Sequence, residues 1–328
     1  MPEQPAPLSQ SPKDLISIFK KPTVLAAVGV LLIAIVAAGV YILSHKTNRN
    51  TVQTNNTSQT ATATKSAVQT SKQATTTTVD ISSLGIYQRM LSSDSQNYQN
   101  ASAAGASFSV TSDNKSFWLY WKPQNWSNSS PKKLIISLGG HDGYASQDFA
   151  AWYPILSEKY DFALTSLQWW FGQGETSSDY YTPAEMNKVI NSFLASQGFT
   201  QTDLIVFEGY SRGSANSYSI AALNSSSKYF DYVISNAGRF ANDYSPNKDI
   251  LNGTFGTTPF ANYKWILYCG EKDPEPDING CQAMESTKTT IEKYGASVVL
   301  FIKDPKGLHG SFMTTPTNAK QALDLILK

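Results

Sequence analysis

The chain has 328 residues, 41% hydrophobic and 12% aromatic, which is material for one large domain or two modest ones and excludes wholesale disorder. Lys and Arg number 26 against 25 Asp and Glu; this formal charge of +1 lacks the basic excess that phosphate-backbone binding leaves, so no nucleic-acid partner is expected. Two cysteines and three histidines are too few for a disulfide scaffold, a four-thiolate zinc site or a histidine-rich metal cluster, and no metal is expected.

In chain order, residues 1–21 read as a short tail and residues 22–44 as a transmembrane helix. The uncharged run from Thr23 to Leu43, at about 1.5 Å per residue, matches the roughly 30 Å hydrocarbon core of a bilayer. A cleaved signal peptide is the weaker alternative, with Ala37 and Ala38 as its small residues. Residues 45–79 are rich in Thr, Asn, Gln, Ser and Ala without apolar periodicity and read as a flexible linker. Flanking lysines favour a cytoplasmic amino terminus, so the expectation is a single-pass protein of the cell membrane. The bilayer is then a partner and residues 80–328 form an extracytoplasmic domain.

From residue 80 the pattern alternates strands with helices. Ser107–Ser112 and Ser116–Trp121 suggest a half-exposed antiparallel pair. Six later runs, 133–140, 162–167, 203–209, 232–238, 264–270 and 297–303, are dense in β-branched and apolar residues, as strands buried on both faces are. Helix patterns fall at Pro183–Ser196, Ser214–Leu223, Gln282–Tyr294 and Thr317–Leu327. This alternation predicts an α/β fold: a mostly parallel sheet of about eight strands with helices on both faces. Ligands of such sheets bind beyond the carboxyl ends of the strands.

Those ends carry chemistry. Gly209-Tyr210-Ser211-Arg212-Gly213 is a G-x-S-x-G set between a strand and a helix, where a tight turn thrusts the serine hydroxyl out at the sheet's edge. Serine needs a base. Of the histidines, His45 sits at the membrane boundary and His141 lies upstream of the serine, whereas His309 follows the last strand in Gly307-Leu308-His309-Gly310. His309 is the expected base. Between serine and base, Asp273 follows the strand ending at Gly270 and is the preferred acid, with Glu271, Glu275 and Asp277 as rivals.

With the order serine, acid, histidine in place, the region from about Ser107 to Lys328 resembles the α/β-hydrolase superfamily, loosely its compact esterases of the polyhydroxyalkanoate-depolymerase and feruloyl-esterase type. The resemblance implies a catalytic triad of Ser211, Asp273 and His309. It also implies an oxyanion hole made by the backbone amides of Arg212 and His141, in a loop where Gly139 stands at the family's usual histidine position. The implied function is a membrane-tethered serine hydrolase acting on a small-molecule or polymeric carboxylic ester without a cofactor. A peptidase or acyltransferase of this fold, or a non-catalytic binding module, are the alternatives.

Trp169 and Trp170 follow a strand end and are candidates for substrate binding, with core packing as the other reading of either ring. The short segment between Arg239 and Tyr263 leaves little material for a cap over the site. Cys269 and Cys281 bracket the acid-bearing loop. A disulfide is the preferred reading, against a buried Cys269 and a free Cys281.

Overall fold

In the computed structural model, residues 79–124, 126 and 131–328 are described. Five strands form its centre: β3 (Lys133–Leu138), β4 (Ala163–Leu167), β5 (Leu204–Tyr210), β6 (Tyr232–Asn236) and β7 (Lys264–Gly270). Each is a run of β-branched and aromatic residues buried at nearly every position, so both faces have to be covered. With β1 (Ser107–Val110), β2 (Phe117–Trp121) and β8 (Ser297–Asp304) they make one eight-stranded sheet in the order β1-β2-β4-β3-β5-β6-β7-β8. Pairing from β4 through β8 is parallel, whereas β2 runs antiparallel to both β1 and β4, so the sheet is mixed.

Helices cover the two faces as two groups. On one side α4 (Pro183–Ser196), α5 (Arg212–Asn224), α6 (Ser245–Leu251) and α7 (Cys281–Lys293) bury residues such as Val189, Tyr218, Ile250 and Met284 against Ile205, Phe207 and Trp265. On the other, α1 (Gly85–Ser93), α2 (Ser95–Ala103), α3 (Ala145–Lys159), α8 (Ser311–Thr314) and α9 (Pro316–Ile326) bury Met90, Phe149, Trp152, Phe312 and Leu323 against Ile135, Val206 and Ile266. Successive residues of one strand thus enter opposite cores, as the period of two requires. α4 has a sequence-coded start: Thr182 accepts from the Glu185 amide, Glu185 reaches back to the Thr182 amide, and Pro183 occupies the first turn.

Two strand expectations are revised. Strand β2 is buried at all of its positions, because α1 and α3 cover Phe117, Leu119 and Trp121 while α4 covers Trp118 and Tyr120. Strand β8 closes the sheet as an edge strand, and most of its residues keep some exposure although its sequence is as apolar as its neighbours'.

The membrane-spanning part of the expected fold class is corrected. Residues 22–44 lie outside the described residues, and among those described no helix is long and apolar enough to cross a membrane. The longest, α3, has 15 residues, which at about 1.5 Å each falls short of a roughly 30 Å hydrocarbon core. The supported fold class is the mixed eight-stranded sheet with helices on both faces. The expectations of a transmembrane anchor, a bilayer partner, a single-pass membrane location and a tethered, extracytoplasmic enzyme are not carried forward. The expected linker at 45–79, Val79 apart, and the expected tail at 1–21 also lie outside the described residues.

Candidate active site

Strand β5 ends in a turn that its glycines make sterically possible. A Cβ on Gly213 would lie 2.1 Å from the Leu138 carbonyl oxygen, and one on Gly209 would lie 2.6 Å from the Gly213 backbone, so only glycine allows the start of α5 to approach the ends of β3 and β5 this closely. Ser211 sits at the turn's tip with φ 54° and ψ −117°, a conformation that costs a serine about 1–3 kcal/mol. It is held there by its amide donating to the Asn236 carbonyl (2.8 Å) and its carbonyl accepting from the Ala215 amide (3.0 Å). The strain directs the side chain off the sheet edge, toward the loop that follows β8.

That loop carries His309. His309 Nε2 lies 2.8 Å from Ser211 Oγ, and His309 Nδ1 lies 2.8 Å from Asp273 Oδ2. A carboxylate can only accept, which places the ring proton on Nδ1 and leaves Nε2 to accept from the serine hydroxyl. The second carboxylate oxygen of Asp273 accepts from the Glu275 amide at 2.9 Å, and the residue is only 6% exposed. The acid loop and the histidine loop are joined by backbone: the Glu271 amide donates to the Asp304 carbonyl and the Lys272 amide to the Gly307 carbonyl, each at 2.9 Å. The rivals Glu271, Glu275 and Asp277 are exposed. Cys269, at the end of β7, is bonded to Cys281, the first residue of α7, so the loop bearing Asp273 is closed at its base.

A cavity of about 480 Å³ opens beside Ser211 and His309, and its walls include Gly140, His141, Ala151, Trp152, Tyr210 and Met313. The Arg212 amide begins α5, whose amino terminus carries partial positive charge toward the serine. His141 lies on the cavity wall in the middle of the Gly-rich loop 139–143, with its ring 3.2 Å from Glu175 Oε2 and stacked over Tyr180. Its imidazole is therefore apart from Ser211 and His309. Donor atoms of His141, Asp142 and Glu175 come within 4.8 Å of one another, but all three side chains are exposed, and surface acids around a histidine make no metal site by themselves.

The two tryptophans take other places. Trp169 is 2% exposed and donates its indole N–H to the Gly139 carbonyl at 3.0 Å, and Trp170 donates to the Gly174 carbonyl at 2.8 Å. Neither lines the cavity beside Ser211.

Residues that sequence reasoning passed over floor that cavity. Glu208 Oε2 accepts from Ser137 Oγ (2.8 Å) and its Oε1 from Asn236 Nδ2 (3.1 Å); Asp148 Oδ2 accepts from Ser166 Oγ (2.9 Å). Burial, with no cation near, pushes Glu208 up to about 7; burial and then the charge of Glu208 push Asp148 up to about 8. Glu208 carried a signal, as the sole acid in the apolar run Leu204–Tyr210. Asp148, one acid on an amphipathic helix, carried none.

No protein-family model matches the chain, and no curated protein matches it in sequence. Among solved structures, one assigned as a dienelactone hydrolase from Klebsiella pneumoniae subsp. pneumoniae superposes with a TM-score of 0.50 at 15% identity, over 68% of this chain and 96% of that one. Est1E from Butyrivibrio proteoclasticus gives 0.47 at 13% identity over 68% and 100% of the two chains. A thermophilic esterase from Thermogutta terrifontis gives 0.47 at 15% over 67% and 90%. At this identity the first speaks for the fold alone: the described domain has an α/β-hydrolase-like fold.

Proposed function

We propose that the chain is a serine hydrolase that cleaves carboxylic esters through an acyl-enzyme. The observation that carries the reading is the unbroken contact from Asp273 through His309 to Ser211, 2.8 Å at each step, on a serine held at positive φ. In this reading His309 takes the hydroxyl proton as Ser211 attacks the acyl carbonyl. Asp273 fixes the tautomer and stabilises the imidazolium, and His309 then protonates the leaving alcohol. The developing oxyanion is assigned to the amides of Arg212 and His141, since preorganised amide donors at a helix start and on the facing loop are what a tetrahedral intermediate needs. Water, deprotonated by the same imidazole, releases the acid and regenerates the serine. None of these steps calls on a cofactor. The likeness to compact esterases belongs to this reading and is supported by the short segment between Arg239 and Tyr263, whose helical part is α6.

Labelling of the full-length protein with a fluorophosphonate probe tests it. Wild type takes up the label and hydrolyses p-nitrophenyl esters, while Ser211→Ala does neither. Equal labelling of wild type and Ser211→Ala would remove the reading.

A further inference from the structure

We infer that Trp169 and Asp148 are positioning residues that grip Gly139 and thereby hold the Gly-rich loop 139–143 against the nucleophile turn; the inference rests on the serine-hydrolase reading above. The loop Gly139-Gly140-His141-Asp142-Gly143 has three glycines in five positions and a non-glycine residue, Asp142, at φ 46°. Such a segment loses more conformational freedom on ordering than most, so a fixed geometry has to be supplied from outside it.

The structure supplies it at Gly139. From one side Trp169 Nε1–H donates to the Gly139 carbonyl at 3.0 Å. From another the Asp148 carboxyl, which accepts from Ser166 Oγ, packs against Gly139. Contact with Asp148 is so close that a Cβ at position 139 would fall 2.7 Å from its Oδ1. Both gripping groups are themselves fixed. Trp169 is 2% exposed, its ring packs on Tyr180 at 4.8 Å between centroids, and its carbonyl accepts from the Tyr181 amide at 2.9 Å. Asp148 stands on α3, whose Phe149 and Trp152 are buried in the core.

The braced residue is one step from the reacting centre. A Cβ on Gly140 would lie 3.3 Å from Ser211 Cβ, so the loop backbone rests directly on the nucleophile. The amide assigned to the oxyanion, that of His141, comes next in the chain. Preorganised donors act because they need not reorganise as charge develops, and a shift of about 1 Å can cost on the order of a hundredfold in rate. The buried Trp169 N–H is satisfied by the Gly139 carbonyl, in the peptide unit before the one that carries the His141 amide.

The test uses Trp169→Phe in the full-length protein, which keeps an aromatic ring and removes the donor. The expected result is a fall in kcat of about tenfold to a hundredfold with KM changed by less than about threefold. The affinity for an alkyl boronic acid, whose tetrahedral serine adduct places oxygen where the oxyanion forms, is expected to fall in parallel with kcat. Wild-type kcat and wild-type boronate affinity in Trp169→Phe would overturn the brace. Should that variant fail to give a cooperative melt, Asp148→Asn, isosteric and with one acceptor lost, carries the same expectation and the same refutation. Fluorophosphonate labelling separates the two levels. Labelled wild type beside an unaltered variant refutes the brace alone, and unlabelled wild type refutes the serine-hydrolase reading on which it stands.

Discussion

Two sets of carboxyl groups flank Ser211, and they are satisfied in opposite ways. Asp273 meets an imidazole N–H and a backbone amide, in a loop closed by a disulfide and tied by backbone hydrogen bonds to the loop that carries the histidine. Asp148 and Glu208, on the cavity floor, meet only hydroxyl, amide and indole donors; burial pushes both well above the ordinary carboxylate range, and the charge of Glu208 adds to the shift at Asp148. Burial alone therefore does not decide what an acid can do. A titratable partner turns Asp273 into a group that can follow a proton transfer, whereas neutral donors make Asp148 and Glu208 fixed points that hold backbone and neighbouring side chains.

The largest effect expected from this contrast is on rate. Asp273→Asn leaves shape unchanged but no longer selects the tautomer in which Nε2 can accept, and kcat should fall by about 10⁴-fold. Glu208→Gln, equally isosteric and also near Ser211, should stay within about tenfold of wild type, since it contacts neither His309 nor Ser211. Comparable losses in the two variants, measured as steady-state kcat on one ester, would erase the distinction.

Next comes the disulfide. Cys281→Ser opens a link between residues 12 apart, and the chain-entropy model gives about 3 kcal/mol for a loop of this order. A urea midpoint unchanged by Cys281→Ser, or by reductant on wild type, would show that the Asp273 loop is held by its backbone contacts alone.

A smaller effect distinguishes the two sets by pH. For Asp148 and Glu208 the folded state favours the protonated form, so between the unfolded values of 3.8 and 4.5 and the folded values of about 8 and about 7 it binds more protons than the unfolded chain does. Their contribution is full below about pH 4 and is lost as pH rises toward 8. Urea denaturation of wild type at pH 5 and pH 8 should show the decline, and Asp148→Asn should flatten it. A variant as steep as wild type would assign the decline to other groups.

The smallest effect sets the baseline. Glu285 pairs with Lys303 at the surface, with side chains 53% and 45% exposed, and Glu285→Ala should change stability by less than about 1 kcal/mol. A larger loss in the same urea assay would mean that exposed acids here cannot serve as a reference for buried ones.

Much of the frame is visible in the amino-acid order. The apolar runs of β3 to β7 and the patterns of α4, α5, α7 and α9 lie within a residue or two of their structural limits, because burial on both faces of a strand or one face of a helix leaves a periodic trace. Helices α1, α2, α3, α6 and α8 fall outside the helix patterns read from the sequence. α2 is rich in Ser, Asn and Gln, α6 and α8 are short, and α3 carries Pro154 in its interior, a residue that normally argues against a helix. The edge exposure of β8 was hidden for a different reason. Strand order is a property of the sheet, and an edge strand can be as apolar as a central one.

The same division runs through the site. Local sequence determined the turn that carries Ser211, since only small residues fit on either side of it, and chain order with so few histidines to choose from singled out His309. Tertiary structure decided which acid faces the imidazole, that Trp169 turns inward to a backbone carbonyl, and that two further acids lie beneath the serine. Those outcomes depend on groups from separate elements: Gly139 follows β3, Asp148 lies on α3, Trp169 follows β4 and Glu208 lies on β5. Local propensity acts over a few residues, whereas the partner that satisfies a buried polar group is chosen only when the sheet brings distant strand ends together.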